Sequence, residues 1–200
     1  MEVRERILKA AEELFMKFGI RSVTMDEIAA ELGISKKTIY LHFEDKDAIV
    51  HEVATLRMTC EQAMSEEIYQ LSSNPIDEVC REIEIFKTHA AALNPVIVYD
   101  LKKYYPKTWA LFQEHKQTVF LDITKRNLRE GVELGLYRSD INTEILSRLR
   151  MEEIDFAFDA GIFPQEKFHQ FEVHKTFIDH FLRGILTQKG LDIYQKYLEA

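Results

Sequence analysis

The chain has 200 residues, is 46% hydrophobic and 30% charged, and carries a formal net charge of −8. That length holds one large or two smaller domains with a sizeable core, and the acidic balance excludes a polyanion binder that works through broad basicity. No apolar run approaches the roughly 18 residues needed to span a bilayer, the start M-E-V-R-E-R-I-L-K-A lacks an apolar export segment, and Cys60 and Cys80 suit two reduced thiols, so a cytoplasmic protein is expected.

In chain order, Ile7, Ala10, Ala11, Leu14, Phe15 and Phe18 recur at helical spacing and predict an amphipathic helix over 2–18. Gly19 is the expected stop. Thr24 and Glu27 form a capping-box pattern that opens a short helix over 25–32. Gly33 ends it, and Ser35 is an N-cap for a helix over 36–42. Asp45 caps a longer helix over 46–72. Asn74-Pro75 opens a helix to about 92, Asn94-Pro95 a shorter one, and Tyr105-Pro106 a long one through about 134, ended by Gly135. Helices near 143–160 and 166–188 follow, then a short one after Gly190. Only seven glycines and four prolines punctuate the chain, and no alternating strand pattern appears. The fold class is therefore all-α, with a division expected between residues 1–46 and 47–200.

Two short helices about a Gly33-Ile34-Ser35 turn form the helix-turn-helix pattern. Residues 1–50 carry eight Lys/Arg and ten Asp/Glu, a net of −2, yet 33–43 hold Lys36 and Lys37 and no acid. The second helix of such a unit enters the major groove N-terminus first. Lysine suits guanine O6 and N7, and a threonine methyl suits thymine. The candidate DNA contacts are Thr24, Ser35, Lys36, Lys37, Thr38, Tyr40, His42 and Lys46. Tyr40, His42 and Lys46 are expected on the phosphate backbone, and Thr24 at a helix N-terminal anion position.

The run T-M-D-E-I-A-A-E-L-G-I-S-K-K-T-I-Y-L-H-F-E-D-K-D-A-I, preceded by I-L-K-A-A-E-E-L-F-M-K-F-G, resembles the N-terminal domain of TetR-family transcriptional regulators over roughly residues 4–52. Lys37 stands where that family often has Gly or Pro. The resemblance implies a homodimeric, all-helical repressor of double-stranded DNA whose C-terminal domain binds a small molecule and leaves a near-palindromic operator when it does. It also implies that the helices carrying Phe86, His89, Tyr99, Tyr104, Trp109, Phe112 and Phe120 surround the ligand, which is then expected to be aromatic or lipophilic. Each of these rings is more readily read as ordinary core. Excess apolar surface on the last two long helices points to a dimer interface through Ile145, Leu149, Phe156, Phe177, Phe181 and Ile185.

Other chemistries find no motif. The sequence holds no Gly-rich phosphate loop, no G-x-S-x-G and no H-E-x-x-H, so an enzyme is not expected. The histidines lack metal-ligand spacing, and no metal or cofactor is expected. The alternative reading is a helical small-molecule-binding or partner-docking module without operator binding.

Overall fold

The computed structural model describes residues 2–90, 94, 96–164 and 166–199, with His89 and Ala90 described by backbone alone. Eleven α-helices are seen among them: α1 Val3–Phe18, α2 Met25–Leu32, α3 Lys36–Tyr40, α4 Lys46–Leu71, α5 Pro75–Ala90, α6 Val96–Tyr104, α7 Pro106–His115, α8 Leu121–Glu133, α9 Thr143–Ala157, α10 Gln170–Ile185 and α11 Gln188–Glu199. A π-helical turn, Lys116–Phe120, lies between α7 and α8. The described residues contain no strand, only an isolated antiparallel bridge between Tyr137 and Leu186. The protein is all-α.

The chain forms two compact units: Met1–Glu61 with Ala92–Glu114, and Gln62–Ala91 with His115–Ala200. The first unit is sealed by Ile7, Ala11, Phe15, Ile28, Ile39, Phe43, Ile49, Val50 and Val53. Ile49, Val50 and Val53 belong to α4, so the first compact unit runs past residue 46: the start of α4 shares one core with α1–α3. The second unit closes on Ile76, Leu128, Tyr137, Leu182, Ile185 and Tyr194. Tyr137 donates from its hydroxyl to Asn127 Oδ1 at 3.0 Å. Asn127 in turn donates to Glu78 Oε2 at 2.7 Å. Each of these buried polar groups is thereby satisfied, as burial demands.

Local chemistry explains most boundaries. Thr24 Oγ1 accepts from Glu27 N at 3.2 Å, and Glu27 Oε2 accepts from Thr24 N at 2.6 Å. Asp45 caps α4 through Ala48 N at 2.8 Å. Asn74 accepts from Ile76 N and Asp77 N at the start of α5.

Four expectations are corrected. α3 stops at Tyr40, and Leu41 and His42 lie in a turn. The long helix expected to run to 134 is broken by the π turn, which carries Lys116 into the interior at 1% exposure and onto Asp155 Oδ2 at 2.7 Å. α10 begins at Gln170. Gly190 starts no helix but lies within α11: a Cβ there would stand 2.2 Å from the Leu136 carbonyl oxygen, so close backbone approach, not chain termination, requires the glycine.

Candidate nucleic-acid interface

The site begins with a turn. Gly33 takes φ 64° and ψ 30°, the left-handed conformation glycine adopts cheaply. Ile34 N and Gly33 N donate back to Ala29 O and Ala30 O, closing the end of α2. Ser35 then caps α3, its Oγ accepting from Thr38 N at 3.1 Å. Ile39 at 0% exposure and Phe43 at 4% pin α3 from beneath. Anchoring Ile39 fixes which residues face out: Lys36, Lys37 and Tyr40 are exposed, and so is His42 in the following turn. Thr38 is half-buried, its hydroxyl 2.9 Å from Ser35 Oγ.

The expected contacts differ in how free they are. No ion pair or hydrogen bond from the described residues engages the Lys37 ammonium. Lys36 Nζ lies 2.8 Å from Asp26 Oδ2, and that hydrogen bond raises its pKa. Thr24 is exposed, but its hydroxyl and amide are both engaged with Glu27, whose carboxylate stands where an anion would sit. Lys46 departs most from expectation. Its ammonium turns inward, donating to Ile20 O at 2.5 Å and lying 5.9 Å from the Phe15 ring. Burial lowers its pKa. Lys46 thus ties α4 to the loop after α1. Sequence reasoning missed Asp26 and Asp100. Asp100 is 3% exposed and accepts from Arg21 N at 2.8 Å. Neither contact leaves a local signal, since each joins residues brought together only by tertiary packing.

The seven aromatic candidates divide between the two units. Tyr99 and Tyr104 on α6, with Lys103 above both rings, belong to the first, as do Trp109 and Phe112, stacked at 5.4 Å on α7. Phe86 and Phe120 belong to the second, against His174 and His115 respectively. The His89 side chain lies outside the described residues. Tyr99 is 54% exposed. A shallow groove of about 580 Å³ in the first unit is lined by Leu14, Phe18, Val23 and Glu27 among others, and one of about 390 Å³ in the second by Gln62, Glu66, Asp122 and Arg126 among others. None of the six described candidates is among the residues named for either.

Of the six interface candidates, Ile145, Leu149 and Phe156 on α9 are exposed at 63%, 49% and 53%. Phe177 and Phe181 are half-buried. Ile185 is corrected: at 3% exposure it fills its own unit's core and offers no surface to a second copy. Among the described residues no group of three or more His, Cys, Asp and Glu is placed to hold a metal ion, and no helix is long and apolar enough to cross a membrane.

These features define a helix-turn-helix unit. Residues 7–53 match the family model described as bacterial regulatory proteins, tetR family. The chain is 31% identical over 143 residues to the uncharacterized HTH-type transcriptional regulator YerO of Bacillus subtilis, a match over 72% of this chain and 43% of that protein. It is 24% identical over 193 residues to another from the same organism, YvaF, covering 94% of this chain and 98% of that one. It thus spans less than half of YerO and nearly all of YvaF. The fold matches that of a TetR-family transcriptional regulator from Agrobacterium tumefaciens with a TM-score of 0.76, at 17% identity, over 92% of this chain and 97% of that one. Residues 7–53 thus carry the helix-turn-helix domain of the TetR family of transcriptional regulators.

Proposed function

We propose that the chain represses transcription as a cytoplasmic homodimer, each copy placing α3 in a major groove of a near-palindromic operator. The observation that carries this reading is the exposed row of Lys36, Lys37 and Tyr40 on a helix anchored by Ile39 and Phe43. Lys36 and Lys37 meet base edges or phosphates. Tyr40 and His42 meet the backbone, and Thr24, Ser35 and Thr38 present hydroxyls beside them. Ile145, Leu149 and Phe156, with Phe177 and Phe181, supply the contact between copies. A small molecule then releases the complex by preferring the state that does not fit the operator. α4, which opens in the first unit and ends in the second, is the covalent route for that change.

Mobility shift with DNA upstream of the protein's own coding region, across a salt series, tests the reading. It predicts a two-protomer complex that weakens steeply with salt, as release of counterions from several phosphates requires. Equal affinity for unrelated DNA would favour a helical binding module without operator recognition.

A further inference from the structure

The second unit carries a carboxylate that the other described residues leave unsatisfied. Glu78, Glu82 and Phe86 follow one another at single-turn intervals along α5 and so share a face. Glu78 is 2% exposed and is held by Arg126 Nη2 at 2.8 Å and Asn127 Nδ2 at 2.7 Å. Arg150 on α9 donates to Glu153 at 3.1 Å. The two arginines that act electrostatically on Glu82 are therefore each paired with another carboxylate. No hydrogen bond or salt bridge from the described residues reaches Glu82 itself. Arg126 also pairs with the more exposed Glu66 at 3.5 Å, so neither arginine is left over for Glu82.

A turn further along α5, Phe86 meets His174 of α10 edge-on at 4.4 Å, and Phe158 closes on the same imidazole at 5.2 Å. Phe171 stacks on Phe86 at 6.5 Å. His174 is 7% exposed, and its Nδ1 is buried with no hydrogen-bond partner among the described residues. A buried polar atom without a partner costs about 1–3 kcal/mol and calls for an explanation. The groups around it are also partly open to solvent. Leu182 and Tyr137 in the same unit are sealed to 0% and 1% exposure, whereas Glu82, Phe86, Phe158 and Phe171 all remain half-buried.

We propose that Glu82, His174 and the rings of Phe86, Phe158 and Phe171 form a binding site for a small organic monocation of the alkyl- or arylammonium type. The Glu82 carboxylate supplies the missing counter-charge, the rings attract the cation's polarised methyl or methylene groups, and His174 Nδ1 offers a hydrogen bond to a polar substituent. An anion would meet an uncompensated carboxylate. A divalent metal would need more oxygen ligands than Glu82 provides. The site deepens the reading of a ligand-released regulator and rests on that reading only for its effect on DNA.

Burial, and then the charge of Glu78, push the Glu82 carboxyl up to about 7. Burial holds His174 down to about 4, with Arg150 acting in the same direction, so it stays neutral near pH 7. The charged or titratable groups acting on Glu82 are Glu78 of α5, Arg126 of α8 and Arg150 of α9. Affinity for a cation should rise as Glu82 ionises, by about tenfold between roughly pH 6 and pH 8.

Calorimetric titration of the full chain with benzyltrimethylammonium, and with phenylacetate as the anionic counterpart, tests the site. The expected result is binding of the ammonium alone, increasing with pH, and weakened about tenfold or more in Glu82→Gln with an unchanged far-UV circular dichroism spectrum. Equal binding by Glu82→Gln, binding independent of pH, or no binding by the parent at millimolar ammonium overturns the proposal. Should Glu82→Gln fail to fold, the parent's pH profile and the loss expected in Phe171→Leu decide. The two readings fail separately. Glu82-dependent binding that leaves DNA affinity unchanged keeps the site and removes ligand release. Intact operator binding without ammonium binding removes the site and keeps the regulator.

Discussion

Glu82 also makes a prediction about the folded state in the absence of any ligand. Its carboxyl is raised from an ordinary value of 4.5 to about 7, first by burial and then by Glu78. Between those values the folded chain binds more protons at this group than the unfolded chain does. The group's contribution to stability is therefore lost as pH rises through that window. The melting temperature of Glu82→Gln should gain on the parent's between about pH 5 and about pH 8, because the variant has no charge to bury. A constant difference across that range would mean that Glu82 is solvated in the folded state. Nothing in the sequence distinguished Glu82 from its neighbours: E-I-E-I reads as a helix with alternating acids. Its isolation arises only because Arg126 and Arg150 arrive from other helices already engaged. Lys46 is the complementary case. Its position at the start of α4 suggested a DNA contact, and its actual partner, the Ile20 carbonyl, lies 26 residues earlier in sequence.

At the level of elements, capping chemistry made most of the helices legible. Thr24 with Glu27, Ser35, Asp45 and Asn74 each mark a start that the structure reproduces, because a cap is satisfied within three residues and owes little to the rest of the fold. The π turn was not legible. It leaves no residue-type signal, and Lys116 reads as a surface lysine until Asp155 is brought against it. Gly190 misled for the same reason, its role being set by the Leu136 carbonyl. α3 was legible as a short helix, but the restraint on it was not. Asp26 holds Lys36 across the turn and places a carboxylate beside the row of Lys36, Lys37 and Tyr40. Asp26→Asn should free that ammonium, tighten DNA binding and steepen the salt dependence by about one counterion. Unchanged affinity and slope would show that Lys36 faces away from DNA.

For the whole molecule, the central expectation is a two-fold assembly that presents two copies of α3 at once. Ile145 and Leu149 lie one turn apart on α9 and are exposed on the single chain. Replacing both with glutamate should shift sedimentation from dimer to monomer and cost operator affinity, while leaving helical content intact. A monomeric parent would contradict the assembly. The exposed apolar face of α9 was partly legible because excess apolar area on a helix has a sequence signature. Which of those residues stay exposed was not, and Ile185 shows why: burial in one's own core and burial against a second copy select the same side chains. The most direct test of the account is to select a binding sequence from random DNA. Affinities for that sequence are then compared between the parent and a Lys36→Ala, Lys37→Ala, Tyr40→Phe variant at one salt concentration. The account predicts a near-palindromic selected site, tight binding by the parent, and a loss of roughly a hundredfold or more in the variant from about 1–3 kcal/mol per base contact. Equal binding by parent and variant would contradict it, and would place DNA recognition somewhere other than α3.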